Sequence, residues 1–242
     1  MLVVLDVGNT AIKFGVFDGD RLVAVERIEG GAAGENVFPI GAIESASEIV
    51  AVSSSPANSA GLAERLGRPV RILGDEVRRA VPTTYARPEE LGLDRIAAAW
   101  GARALTGRRS VAVADVGTAI TVDALDAAGR FVPVAIAPGV AAARDGLARA
   151  AVHLPSAPTA GGAVAVPARS TADSLRAGFL VGFAGLVDRL LDEAARAAGG
   201  VEATVLTGGG ADAIAAHLRT RHVFEPHAVL RGVLELHRAV PR

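Results

Sequence analysis

The sequence predicts an α/β protein built from two similar halves, each a mixed β-sheet flanked by helices. Three observations carry that expectation. An apolar, strand-like run that stops at an Asp-x-Gly turn occurs twice: Met1 to Leu5 before Asp6-Val7-Gly8-Asn9-Thr10, and Ser110 to Ala114 before Asp115-Val116-Gly117-Thr118. Each turn leads into a β-prone segment, a polar turn and another β-prone segment, the pattern of a hairpin. Beyond each hairpin, strand-like and helix-like segments alternate, which implies layered α/β structure. In a chain of 242 residues this repeat places one half over 1–109 and the other over 110–242, each near the lower end of ordinary domain size.

In the first half the Met1–Leu5 run is uninterrupted and apolar, as in a buried strand. Ala11–Phe17 is its partner, Asp18-Gly19 supplies a tight turn, and Arg21–Val25 returns. Ser47–Ser53 reads as a strand, Ser59–Leu66 as a helix and Val70–Leu73 as a further strand. After a proline-punctuated loop, Pro88–Ala104 reads as a helix. The second half repeats the hairpin with Ala119–Leu125, a turn over Asp126–Gly129 and Phe131–Ile136. Val140–Val152 and the long stretch Thr171–Ala198 read as helices, Glu202–Leu206 as a strand, Ala211–Leu218 and Val229–Val240 as helices. Phe179–Val187 is apolar on nearly every side, so this helix is expected inside the protein or in a subunit interface. Close helix packing is the expected use of Gly178 and Gly182.

Composition removes several classes of function. The absence of Cys excludes a disulfide framework, a thiolate nucleophile and Cys-ligated zinc or iron–sulfur sites. With 25 basic and 26 acidic residues the chain has no broad basic footprint for nucleic acid or an anionic membrane. The N-terminal apolar run lacks a basic leader and is cut at Asp6, so no signal peptide is expected. The longest strongly apolar stretch, Ala177–Val187, is far shorter than the ~20 residues of a membrane span. A cytoplasmic protein is expected. His217, His222 and His227 recur at a spacing that suits no helical metal face and are read as structural. Lys13 is the one lysine among the 25 basic residues. It fits either a crowded site, where ammonium and guanidinium are not interchangeable, or chance survival on a surface.

The two turns have a chemistry of their own. Backbone N–H groups beside Gly lack intrachain partners and cradle phosphate. An Asp ending a buried strand offers Mg²⁺ the oxygen ligand it prefers, directly or through water. Thr10 and Thr118 add hydroxyl donors, and Lys13, three residues past Thr10, is within reach of a transferring phosphate. A single such turn reads as an ordinary hairpin; two at matching places favour a clamp on a nucleoside triphosphate. Thr207-Gly208-Gly209-Gly210-Ala211 follows a strand and opens a helix, so its glycines admit close approach of a base or ribose. The same stretch matches a weak dinucleotide fingerprint, but too little chain follows it for another strand–helix–strand. A Walker-type loop is excluded because Lys13 is followed by Phe14 and preceded by no suitable glycine spacing.

This arrangement of two acidic turns and a later glycine turn resembles the acetate kinase, sugar kinase and actin superfamily, which implies two ribonuclease H-like halves. Further motifs narrow the resemblance. Tyr85, Pro88, Gly92-Leu93-Asp94-Arg95, the block Asp115 to Asp123, Ile136-Ala137-Pro138-Gly139, Leu154-Pro155, and Thr171 with Gly178 and Gly182 occur in that order. Together they resemble the type III pantothenate kinases. The resemblance implies that Asp6, Val7, Gly8, Asn9, Thr10, Ala11, Ile12 and Lys13 bind the ATP phosphates, with Thr118 opposite and Gly208 and Gly209 towards the adenosine. It implies that Asp115 helps to hold a monovalent cation, K⁺ or NH₄⁺, and that Mg²⁺ accompanies ATP. Tyr85, Gly92, Leu93, Asp94, Arg95 and Thr171 would line the pantothenate site, with Asp94 as proton acceptor. A homodimer is also implied.

The residue types suit that chemistry independently. An Arg engages a carboxylate through charge-assisted hydrogen bonds. A positioned carboxylate accepts the proton of an attacking alcohol even at a low pKa, because phosphoryl transfer relies chiefly on alignment and charge neutralisation. An isolated Asp-Arg pair would instead read as a surface ion pair, with Glu90 as a further helical neighbour. The chain departs from the family pattern at Pro133-Val134, where a Gly-Gly pair is usual. Proline removes an N–H there and valine adds bulk, so the local backbone is expected to differ. Two other readings accompany the kinase: a relative acting on another small hydroxylated substrate, and a non-catalytic regulatory relative.

Overall fold

Each apolar run that stops at an aspartate becomes the central strand of a five-stranded sheet. The computed structural model describes residues 1–29, 40–157, 159 and 163–240. In chain order, the first elements are β1 (Leu2–Val7), β2 (Ala11–Asp18), β3 (Arg21–Glu29), α1 (Ile40–Ser45), β4 (Glu48–Ser53), α2 (Pro56–Ser59), α3 (Leu62–Leu66), β5 (Arg71–Ile72), α4 (Asp75–Ala80) and α5 (Leu93–Thr106). The chain continues with β6 (Val111–Val116), β7 (Ala119–Leu125), β8 (Phe131–Pro138), α6 (Val140–Ala150), α7 (Thr171–Ala177), α8 (Phe183–Ala197), β9 (Ala203–Thr207), α9 (Ala211–Ala215), β10 (Val223–Phe224) and α10 (Ala228–Ala239).

The sheets are duplicates in topology. One has the order β3-β2-β1-β4-β5; the other, β10-β9-β6-β7-β8, is the same order read from its far edge. In both, the first strand pairs antiparallel with its hairpin partner and parallel with the strand that follows the crossover. The fold is therefore α/β, with two mixed sheets flanked by helices.

The chain divides into two compact units, Met1–Gly107 with His227–Arg242, and Arg108–Pro226. The last helix thus folds with the first unit and not with the half that precedes it in sequence. In that unit, Val3, Leu5 and Val7 of β1 join Ile12, Phe14 and Val16 of β2 and Ile43, Leu62 and Leu66 in one buried cluster. The opposite face of the sheet carries α10, whose Leu230 lies against Gly15. Burying each such aliphatic side chain contributes about 1.5–3 kcal/mol. Helices α5 and α10 cross with their backbones in contact: a Cβ on Gly101 would collide with the Ala228 carbonyl, and one on Gly232 with that of Ala97. No side chain fits at either point.

The second unit is built likewise, with Ala112, Ala114 and Val116 of β6, Ile120 and Val122 of β7 and Leu206 of β9 packed on Ala184, Val187 and Leu191 of α8. Its edge strand β8 holds Pro133, the place in a sheet where a missing N–H is tolerated. Pairing shifts there from Val122–Ala135 to Asp123–Pro133, leaving Val134 as the extra residue of a bulge.

Four expectations about helices need correction. The segment Ser59–Leu66 is the end of one short helix and the whole of another, because Gly61 takes a left-handed φ of +66° between them. Pro88–Glu90 is a separate 3₁₀ turn, and α5 begins only at Leu93, after Gly92 in an extended conformation. The stretch Thr171–Ala198 is interrupted by a π-helical turn over Gly178–Gly182. Within the described residues of the chain Gly178 and Gly182 are not close-packing positions, since a Cβ on either would meet open space. With Val181 they form an exposed strip beside the buried Phe179 and Leu180.

Candidate active site

Asp6 is the penultimate residue of β1. Its neighbours Leu5 and Val7 point into the first unit's apolar cluster. Strand alternation therefore turns Asp6 onto the opposite face of the sheet, the one that carries α10. Its partner across the hairpin is Lys13, with Nζ 3.8 Å from the Asp6 carboxylate. A pair this long and partly exposed is worth at most about 1 kcal/mol, so Lys13 is held near the turn without being locked there.

The turn between β1 and β2 is tied down through its carbonyl groups. The Ser54 N–H donates to the Val7 carbonyl at 3.1 Å, and the Gly8 N–H closes the hairpin on the Ala11 carbonyl at 3.1 Å. Asn58, buried on α2, donates its side-chain amide to the carbonyls of Gly8 at 2.7 Å and Asn9 at 3.2 Å. Asn9 and Thr10 themselves are exposed.

In the same unit, Gly92 precedes α5 and Asp94 stands in its first turn. The Asp94 carboxylate accepts the Arg95 N–H at 2.9 Å. A Cβ on Gly92 would sit 2.6 Å from that carboxylate, so glycine leaves it room. Arg95 is only 6% exposed, and Glu90 pairs with Arg87 at 2.7 Å. The surface ion-pair reading of Asp94-Arg95 therefore fails. Leu93 is a core side chain, 2% exposed, which leaves its main chain for any ligand contact. Tyr85 is half-buried, its N–H donated to the Thr83 hydroxyl at 3.1 Å.

In the second unit the turn between β6 and β7 is supported by glycines. The Gly117 N–H donates to the Ala119 carbonyl at 2.9 Å, the Gly139 N–H to that of Thr118 at 3.0 Å and the Gly210 N–H to that of Val116 at 2.8 Å. A Cβ on Gly139 would collide with the carbonyls of Gly117 and Thr118. Gly208, at φ +96°, lies so close that a Cβ would collide with the Asp115 carboxylate and the Val116 carbonyl. Thr118 and Gly209 are exposed beside this glycine-built turn. Thr171 is exposed on the first turn of α7, which Ser170 caps by accepting the Asp173 N–H at 3.1 Å.

Asp115 pairs in register with Thr207 on β9. Both residues alternate with side chains of the second unit's apolar cluster and so share the other face of the sheet. The Thr207 hydroxyl is buried and has no hydrogen-bond partner among the described residues. A carboxylate with an unsatisfied hydroxyl beside it is an oxygen-donor set suited to a hard cation. Among the described residues no three His, Cys, Asp or Glu side chains gather as a metal cage. Mg²⁺ is usually held by phosphate oxygens, water and one or two carboxylates, and Asp6 is a carboxylate that could serve it in the first turn.

Sequence reasoning did not find Asn58, the placement of the Thr207 hydroxyl beside Asp115 or the closing role of Gly139. Asn58 lies about fifty residues from the turn it holds, and neither of the others carries a local signal of its contact.

Similarity to known proteins runs along most of the chain. The sequence profile of the family described as type III pantothenate kinase matches residues 2–193. A type III pantothenate kinase of Halorhodospira halophila is 35% identical, with 97% of this chain and 96% of the relative covered. One from Geobacter sulfurreducens is 31% identical, with 96% of each covered. Among solved structures, a conserved putative Baf family transcriptional activator from Campylobacter jejuni aligns with a TM-score of 0.64 at 18% identity, covering 98% of this chain and 97% of that one. A glucokinase of the ROK family from Streptomyces griseus aligns at 0.55 and 15%, covering 97% and 98%. These structural likenesses speak for the fold alone. The duplicated acidic turns, the Gly-Leu-Asp-Arg start of α5 and the match along nearly the whole chain lead to one conclusion: the chain belongs to the type III pantothenate kinase family.

Proposed function

We propose that this protein transfers the γ-phosphoryl group of ATP to pantothenate, giving 4′-phosphopantothenate and ADP at the start of coenzyme A synthesis. Membership of the family carries this reading, and the half-buried Asp94 at the head of α5 supports it. The pantothenate primary hydroxyl attacks the γ-phosphorus, a new P–O bond forms, and the bond to the ADP oxygen breaks. Asp94 accepts the hydroxyl proton. Tyr85, Gly92, the Leu93 main chain, Arg95 and Thr171 are assigned to the pantothenate, Arg95 as the charge partner of its carboxylate. Asp6 to Lys13 are assigned to the ATP phosphates, and Thr118, Gly208 and Gly209 to the nucleotide as well. Mg²⁺, when bound, neutralises charge on the phosphates.

Asp115 is assigned to a monovalent cation, K⁺ or NH₄⁺; the unsatisfied Thr207 hydroxyl beside it supports that assignment. We also read the protein as a cytoplasmic homodimer. No helix among the described residues is long and apolar enough to cross a membrane, and the exposed strip of Gly178, Val181 and Gly182 supports a subunit contact. Light scattering is expected to give about twice the 24.5 kDa of one chain.

The test is ADP release coupled to identification of the phosphorylated product, with pantothenate, Mg²⁺ and either K⁺ or Na⁺. Turnover that requires pantothenate and rises with K⁺ is expected. Turnover with a different hydroxylated acceptor only would select the other-substrate reading, and nucleotide binding without any turnover would select the regulatory one.

A further inference from the structure

A trans peptide places its C=O and N–H on opposite sides. Holding the Gly8 carbonyl therefore sends the Asn9 N–H the other way, and holding the Asn9 carbonyl fixes the peptide that follows. Both carbonyls are held by one donor group, the Asn58 amide, at 2.7 and 3.2 Å. We propose that Asn58 is a positioning residue for catalysis, which fixes the first turn so that the Asn9 N–H is presented to the phosphates of ATP.

The surroundings of Asn58 fit a built support and not a chance contact. Its side chain is buried, with the residue 4% exposed, and its own main chain is fixed at both ends. The Asn58 N–H donates to the Ser55 carbonyl at 3.1 Å, and the Arg65 guanidinium donates to the Asn58 carbonyl at 3.3 Å. Ser55 is set in turn by Ser53, which donates its hydroxyl to the Ser55 carbonyl at 3.0 Å and accepts the Ser55 N–H at 3.1 Å. Pro56 opens α2 with the backbone angle a first helical residue needs. The support thus runs from the end of β4 through α2 to the turn. Two carbonyl oxygens converging on one position also exclude an acceptor there: a carboxylate would repel both.

The inference rests on the reading that this turn binds ATP phosphates, so binding is measured directly on the full-length protein with ATP and with adenosine. Asn58→Asp, of equal size, is expected to weaken ATP binding at neutral pH by about tenfold or more, roughly the weight of one charge-assisted hydrogen bond. Adenosine binding should stay within about twofold. In turnover the KM for ATP should rise while the KM for pantothenate holds. ATP binding by Asn58→Asp should recover partly at acid pH, where a protonated carboxyl regains a donor. Should Asn58→Asp not fold, NMR of the wild type decides. The Asn58 amide protons should exchange slowly with solvent, and the Asn9 amide should shift on adding ATP. Failure of the wild type to bind ATP would remove the underlying reading. Undiminished ATP binding by Asn58→Asp, or rapidly exchanging Asn58 amide protons, would overturn the inference alone.

Discussion

The two acidic turns begin alike and are braced differently. In the first, the carbonyls are held by a side chain, Asn58, and by the Ser54 N–H. In the second, the equivalent work falls to the backbone N–H groups of Gly139 and Gly210. The position facing the strand-end aspartate also differs: Lys13 faces Asp6 and Thr121 faces Asp115. The same strand–turn–strand frame thus carries an ammonium on one side only. The two hairpins share the path of the chain, while each turn has its own means of holding it.

That contrast is sharpest at glycine. Gly208→Ala puts a Cβ against the Asp115 carboxylate and the Val116 carbonyl at a left-handed φ, a clash plus strain costing about 2–3 kcal/mol. Gly8→Ala in the first turn meets only the Ala11 carbonyl at 3.2 Å and should change stability by less than about 1 kcal/mol. Urea unfolding of both variants checks this; equal losses would mean that the turns are braced alike. The next contrast is charge. Lys13→Ala should lower kcat/KM for ATP by about 10- to 100-fold through lost stabilisation of phosphate charge, whereas Thr121→Ala should stay within about threefold. Steady-state kinetics on the two variants separates them.

The smallest effect concerns the hairpin ends. The first closes at Gly19, whose φ is +58°. The second closes around Asp126, whose carboxylate accepts the N–H groups of Ala128 at 3.0 Å and Arg130 at 2.9 Å and pairs with the Arg130 guanidinium. Burial works against ionisation, but the Arg130 and Ala128 hydrogen bonds and the Arg130 charge outweigh it and hold the Asp126 carboxyl below the usual carboxylate range. A lowered folded-state pKa means stability that is present above about pH 4 and lost as the pH falls through the folded value. Asp126→Asn should therefore lose less stability than the wild type between about pH 6 and about pH 3. Parallel acid profiles of the two proteins would show that Asp126 does not brace the second hairpin.

Much of this design is legible in the sequence because it is local. An apolar run, Asp-x-Gly and a return strand specify each hairpin without knowledge of distant residues, and the second copy raises the first above coincidence. Elements that depend on distant partners are not legible. The strand β10 has two residues and exists only because β9 offers it an edge. Helix α10 reads as an amphipathic helix, but its return to the first unit depends on Gly101 and Gly232 meeting carbonyls across the crossing. Gly61 gives no sign in sequence that it breaks a helix and does not merely weaken one. Asp94 is readable as a motif residue, whereas Asn58 resembles any asparagine after a serine-rich loop.

At the centre of the proposed reaction, Asp94 takes the proton from the pantothenate hydroxyl as phosphate is transferred. Pantothenate-dependent formation of phosphopantothenate by wild type and Asp94→Asn tests this most directly. Robust turnover is expected in the wild type, with a fall of about 10²-fold or more in Asp94→Asn and ATP binding retained. Equal turnover in the two proteins would contradict it.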